Sequence, residues 1–276
     1  MLFSGLGLSR RLERAEGYAC AQFAEARRRL FPDRGSESVE RAGAFVVFDG
    51  VESPTTQSFG LGIFEELTAA SLSGVEAFFF DHGTDALHEV SPLAGVAALD
   101  LLCARAYRPV EISNVLYRRT EKAEPQGFGK VDIGNIRVRV IGPEEAHLWT
   151  ETSASGWSEE HPELKDFILE SGGIAAARQE SVCFLAEIDG KPGAAGMLCL
   201  HEGVALFAGA ATIPELRRRG LQGALLEQRM CYASEHNCDL AMMVAEAGSN
   251  SQRNAERKGF QVAYTRIKWR LSRPEH

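Results

Sequence analysis

Residues 212–227 read TIPELRRRGLQGALLE: three consecutive arginines, Arg217, Arg218 and Arg219, run into Gly220, and an apolar helical pattern starts directly after it. The residues before it, 203–211 (GVALFAGAA), are small or apolar throughout, as a buried strand is. The order is therefore strand, arginine-glycine turn, helix. Free N–H groups at a helix start, the positive end of its dipole and nearby guanidinium groups together favour an anion. A glycine there lets a phosphate approach the backbone closely. A helix that merely begins with a solvated basic cluster has the same residues, so both readings fit this stretch alone.

Composition narrows what that anion would be. The 276 residues suit one large domain or two small ones, and 45% hydrophobic with 25% charged residues is an ordinary soluble globular balance. A net charge of −8 argues against broad nucleic-acid binding, so a local basic patch suits a small anionic ligand. No apolar run approaches the roughly 20 residues that cross a bilayer. The first residues, MLFSGLGLSRRLER, place apolar before basic with no apolar core following, unlike a signal peptide. Six cysteines (Cys20, Cys103, Cys183, Cys199, Cys231, Cys238) fall irregularly without a CxxC pair. Neither a zinc site nor a disulfide framework is indicated, and a reduced cytoplasmic compartment is expected. His82 and His88 flank Asp85, a group expected to be a solvated loop at a strand edge rather than a metal site.

Periodicity assigns the elements. In the first half, residues 8–30 have helical spacing, 32–38 a loop composition, and 42–48 and 58–61 strand character. Residues 64–73 are weakly helical, 75–80 a compact apolar strand, and 87–90 a continuation of the sheet. A helix is expected over 93–106, with Ser91 as cap and Pro92 as first residue, then a strand over 110–117. Neither a nucleophile elbow nor a Walker pattern occurs. Residues 119–134, charged and carrying Pro125 and Gly127, suit a linker between domains at 1–118 and 135–276. The second half reads as a strand (136–141), two helices (143–152, 162–177) and strands 182–188 and 194–200 joined at Asp189–Gly190, a strong hairpin signal. A turn at 201–203 leads into strand 204–212 and the arginine-glycine turn. After the helix come a short strand (240–244), a short helix capped by Ser249 or Ser251 and stopped by Gly259, and a last strand (262–271). The class is α+β with a mixed sheet.

That order, with PELRRRGLQGALL (214–226) and SQRNAERKGF (251–260), resembles the GNAT acetyltransferase superfamily over about residues 135–270. The family signature is Gln or Arg, two variable residues, Gly, one variable residue, then Gly or Ala. Arg217, Gly220 and Gln222 stand at its defined positions; Gln222 departs from the small residue, with Gly223 directly after it. The resemblance implies that Ala211, Thr212 and Ile213 pair with the pantetheine arm of acetyl-CoA through their backbone. Arg217, Arg218, Arg219, Gly220, Leu221, Gln222, Gly223 and Ala224 would cradle the pyrophosphate. Strand 240–244 would splay from its neighbour to leave a notch for the thioester, and the helix bearing Ser249, Ser251 and Asn254 would flank the thiol. Two further departures are Gly248, where family members carry Asn, and Ala255, where many place a tyrosine that protonates the leaving thiolate.

The implied activity is transfer of acetyl from acetyl-CoA to a primary amine of a small molecule or peptide by direct attack. A monomer or homodimer would carry it out, without metal, nucleic acid or membrane. Direct attack needs a neutral amine and a proton for the sulfur. Glu246, after the splayed strand, is the leading candidate for base or amine anchor; Ser251 is a donor to the thiolate, and Tyr264 a third candidate. Glu246 also reads as an exposed loop carboxylate, the commoner case, and helix capping explains Ser249 and Ser251 as well as donation to the thiolate does. Glu159, Glu160 and Glu163 would favour a cationic amine. The missing tyrosine and asparagine keep open a rival class, a non-catalytic acyl-CoA-binding or interaction module, and a longer acyl group is a third option.

Residues 105–119 (RAYRPVEISNVLYRR) also parallel 258–271 (KGFQVAYTRIKWRL): a helix end, an aromatic residue, then a basic-ended amphipathic strand. Upstream of each lies a short apolar segment, 75–80 or 240–244. The first half is therefore expected to be a degenerate GNAT-like copy in tandem. Its counterpart of the arginine-glycine turn would fall at 52–62 (ESPTTQSFGLG), which lacks any basic residue, so that copy is not expected to bind CoA. Since the chain ends soon after Leu271, the first domain is expected to complete the second sheet or cover its edge.

Overall fold

The computed structural model describes residues 3–120, 135–157, 165–178 and 181–274; most of the linker expected at 119–134, and Glu159, Glu160 and Glu163, lie outside the described residues. The chain forms two compact units, one of Met1–Arg118 with Met242–His276 and one of Arg119–Ala241.

The first unit opens with helix α1 (Leu6–Leu30), whose Leu8, Leu12, Ala15, Ala19 and Ala26 are buried as the spacing predicts. Strands β1 (Glu37–Arg41) and β2 (Ala44–Phe48) form a hairpin turned by Ala42 and Gly43, both at positive φ. The sequence assigns 37–38 to a loop because ESVER is polar; the strand exists through its pairing with the fully buried β2. β3 (Gln57–Phe59) runs antiparallel to β2.

Residues 75–80, expected as a strand, lie instead in helix α2 (Ala69–Asp81). Thr68 and Ser71 cap its start reciprocally. Leu72, Val75, Phe78 and Phe79 then fall at intervals of three and four and are buried together. β4 (Ala86–Val90) follows parallel to β3. Ser91 caps a short 3-10 turn, Pro92–Ala94, and Gly95 at φ 84° breaks it from helix α3 (Val96–Ala104), which is shorter than the 93–106 expected.

β5 (Arg108–Arg119) does not pair with β4. The last strand of the chain, β11 (Gln261–Leu271), lies between them, antiparallel to both. The two segments whose sequences parallel one another are thus side by side, Gln261 opposite Tyr117 and Arg270 opposite Arg108. It is the C-terminal strand that completes the first half's sheet, ordered β1-β2-β3-β4-β11-β5. Strand β10 (Leu240–Glu246) and helix α7 (Asn250–Arg257) precede β11.

The second unit holds β6 (Ile136–Val140), α4 (Ala146–Trp157), α5 (Lys165–Ala176), β7 (Ser181–Ile188), β8 (Lys191–His201), β9 (Val204–Thr212) and α6 (Leu221–Glu235). The strands are antiparallel in the order β9-β8-β7-β6. Asp189–Gly190 and Glu202–Gly203 turn the hairpins in the left-handed region that primed turns require. Trp149 of α4 is buried and donates to the carbonyls of Phe184 and Gly196, fixing the helix on the sheet. No described helix is long and apolar enough to cross a membrane.

The element order β1-β2-β3-α2-β4-α3-β5 recurs as β7-β8-β9-α6-β10-α7-β11. By that order the counterpart of β10 is β4, not 75–80, and the counterpart of the arginine-glycine turn is 60–68 (GLGIFEELT), not 52–62.

Candidate functional site

β9 ends at Thr212, and Ile213 donates its N–H to the Gly193 carbonyl (2.9 Å) before a single 3-10 turn, Pro214–Leu216. The Thr212 hydroxyl oxygen is buried without a hydrogen-bond partner among the described residues. Arg217 is half-buried: its Nη2 donates to the Gly156 carbonyl at the end of α4 (3.0 Å), and its Nε lies 3.5 Å from the Thr212 carbonyl. α4 sits so close to β9 that a Cβ on Gly156 would lie 2.6 Å from the Ala211 Cβ. Arg217 therefore staples two backbones.

The next two arginines are exposed. Arg218 adopts φ 62°, which costs a non-glycine residue energy and signals a constraint. Arg219 lies 4.0 Å from the exposed Asp189 carboxylate, a loose pair of little energetic weight. Gly220, at φ 92°, is the N-cap residue of α6, and among the described residues no capping side chain hydrogen-bonds that helix start. A Cβ there would meet only Ile136, at an ordinary 3.4 Å, so the glycine is required by conformation rather than by space.

The first helical bond is Ala224 N–H to the Gly220 carbonyl (3.0 Å), leaving the N–H groups of Leu221, Gln222 and Gly223 as helix-start orphans. Leu221, Ala224 and Leu225 anchor the helix by burial, while Gln222 and Gly223 stay half-buried. Orphan amides, a left-handed turn and two exposed guanidinium groups are together an arrangement that favours an anion. The counterpart in the first half is its opposite. There Glu65 and Glu66 precede the helix, and Thr68 and Ser71 already satisfy its start.

The remaining sequence-chosen residues lie in the first unit. Glu246 ends β10 and is exposed. Ser249 caps α7, accepting from Gln252 N–H (3.2 Å), and Gln252 in turn accepts from Gly248 N–H (2.8 Å) and Asn114 Nδ2 (3.1 Å). Ser251 and Asn254 are exposed on that helix, and Ala255 is fully buried. Tyr264 is buried, its hydroxyl donating to Glu13 (2.9 Å).

Glu13 belongs to a buried network that periodicity passes over. Arg266 pairs with Glu16 (2.6 Å), Glu89 (3.0 Å) and Glu13 (3.4 Å), and Lys268 pairs with Glu89 (3.3 Å). Burial pushes the Glu13 carboxyl up to about 7 against the pull of Arg266. Periodicity gave no signal for Glu13, which lies about 100° round α1 from Leu12, off the apolar stripe.

His88 departs from the solvated loop expected of it. It is fully buried, bonded to Ser58 (2.8 Å) and Tyr107 (2.7 Å), and burial pushes its imidazole down to about 3. Tyr107 continues the chain to Glu76 (3.3 Å) and Arg105 (2.7 Å from Glu76), and Ser58 opposite His88 stitches β3 to β4. Asp85 is held by Arg270 (2.6 Å), and His82 bonds the Phe78 carbonyl (2.7 Å).

No protein-family model and no curated protein sequence matches the chain. Solved structures do. The GCN5-related N-acetyltransferase of Kribbella flavida is 16% identical with TM-score 0.60 over 93% of this chain and 96% of its own. That of Sphaerobacter thermophilus is 15% identical with TM-score 0.55, over 95% and 93%. A tandem GNAT protein from the clavulanic acid biosynthesis pathway is 12% identical with TM-score 0.56, over 84% and 83%. Identities this low speak for fold alone: the chain has the fold of the GNAT N-acetyltransferases, with tandem domains.

Proposed function

We propose that this chain transfers an acetyl group from acetyl-CoA to a primary amine of a small molecule or peptide by direct attack. The copies are taken as residues 1–118 and 135–276 joined by 119–134, with the donor bound by the second copy alone. The observation that carries the reading is the start of α6: a helix without a capping side chain among the described residues, behind a left-handed turn, with Arg218 and Arg219 exposed, on a GNAT fold. The pyrophosphate would lie on the amides of residues 220–224. Ala211, Thr212 and Ile213 would pair with the pantetheine arm, with Arg217 bracing the strand end.

In the reaction, the amine nitrogen attacks the thioester carbonyl, the C–S bond breaks, and CoA leaves as a thiolate that takes a proton. Glu246 is the proposed acceptor of the amine proton and Ser251 the proposed donor to sulfur, with Ser249 and Asn254 beside the thiol; Glu246 ends β10, Ser249 caps α7, and Ser251 and Asn254 lie on α7. Tyr264, engaged by Glu13, is assigned to packing rather than to proton transfer.

A second reading is favoured by Ala255 and Gly248, which stand where the resembling enzymes carry tyrosine and asparagine: an acyl-CoA-binding module without transfer. Thermal shift with acetyl-CoA and release of CoA thiol across an amine panel separate them. Stabilisation with thiol release supports the transferase, stabilisation alone supports the module, and the absence of stabilisation contradicts both.

A further inference from the structure

Arg229 of α6 is 2% exposed, and among the described residues no carboxylate pairs with it. Burial pushes its guanidinium down to about 10, so it stays charged at neutral pH. An unpaired buried cation is costly, and replacing such groups by apolar ones is often neutral or stabilising. Its contacts show what offsets that cost.

Nε donates to the Leu225 carbonyl one turn earlier (3.3 Å), and the guanidinium stands over the Phe207 ring at 4.9 Å. Nη1 reaches two carbonyls, Met197 on β8 (3.2 Å) and Ala208 on β9 (3.5 Å). Met197 and Ala208 are directly opposite one another, and the regular register ends at that pair. Beyond it, the single residue Gly196 opposes both Gly209 and Ala210 before pairing resumes at Ala195 and Ala211. This is a β-bulge, with Gly209 left-handed at φ 58° and exposed. Gly196 completes the fit: a Cβ on it would lie 3.2 Å from the Arg229 guanidinium carbon and Nη1.

We propose that Arg229 is a positioning residue for the acyl donor: from behind the sheet it grips the carbonyl pair at which the bulge begins, holding Gly209 and Ala210 in the register that the donor arm meets along β9. This rests on the reading of β9 as the donor strand. A side chain that hydrogen-bonds at a bulge fixes where the extra residue sits, and a slip by one residue would reverse every side chain beyond it. A methionine would fill the same space without fixing that register.

The test compares wild type, Arg229→Met, Arg229→Lys and Gly196→Ala in the full chain. Melting temperature, acetyl-CoA affinity, turnover with an accepted amine and amide hydrogen exchange at residues 208–211 are measured. Arg229→Met should melt no lower than wild type, bind acetyl-CoA at least tenfold more weakly, and lose exchange protection at 208–211. Arg229→Lys should recover part of the affinity. Gly196→Ala, which displaces the guanidinium without removing it, should weaken binding in the same direction by a smaller factor. Wild-type affinity and exchange in Arg229→Met overturn the proposal. If Arg229→Met does not fold, Gly196→Ala with unchanged affinity and exchange overturns it as well. If wild type itself does not bind acetyl-CoA, the donor reading fails, and with it the role assigned to Arg229, while the exchange data still report whether Arg229 fixes the bulge.

Discussion

Arg217, Arg218 and Arg219 are adjacent in sequence and differ in what they do. Arg217 is spent on the Gly156 carbonyl and lies near that of Thr212, whereas Arg218 and Arg219 extend into solvent beside the α6 start. Arg218→Ala with Arg219→Ala should therefore weaken acetyl-CoA binding by about tenfold or more and flatten its salt dependence, since charge-assisted hydrogen bonds are worth roughly 1.5–3 kcal/mol. Arg217→Ala should instead lower the melting temperature; an unchanged melting curve would contradict the staple. Glu13 gives a pH prediction. Its carboxyl holds a proton up to about pH 7 in the native state but only to its ordinary 4.5 unfolded. Between these values the native state binds more protons, so stability falls as pH rises through that window. Glu13→Gln keeps an oxygen for the Tyr264 hydroxyl and should flatten the fall, read as melting temperature against pH.

Helix starts and strand partners decide the next scale. α2 and α6 occupy matching places in the two copies, but one start is satisfied by Thr68 and Ser71 and the other, among the described residues, by no capping side chain. The sequence exposed α6, β7–β9 and their hairpins clearly, because glycine turns and apolar periodicity are local signals. It misread α2 because the run of three phenylalanines looks like a strand until Thr68 and Ser71 are recognised as a cap. It did not place β11 between β4 and β5, since partner choice depends on contacts some 150 residues apart in sequence, such as Asn114 with Thr265. The strand, turn and helix around Arg218 were legible in order; the commitments of Arg217 and Tyr264 were not, because each depends on a distant partner, Gly156 or Glu13. β11 also carries Arg266, the cation for Glu13, Glu16 and Glu89. Arg266→Ala should cost roughly 3–5 kcal/mol in denaturant unfolding, as removing one partner of a buried pair does.

For the whole molecule, the tandem order of elements gives two helix starts that follow a strand and a turn, α2 and α6, and the two are unequal. In the first copy the turn before the helix is acidic, the helix start is capped, and Ser58 and His88 stitch β3 to β4. In the second copy the turn carries two exposed arginines and leads into a helix start that no described side chain caps. One chain should bind one acetyl-CoA. Calorimetric titration of acetyl-CoA into wild type and Gly220→Glu tests this most directly, since the glutamate places a negative charge and a strained φ at the α6 start. One equivalent bound by wild type and none by a Gly220→Glu variant of unchanged circular dichroism is the expected result; two equivalents, or equal binding by both proteins, would contradict it.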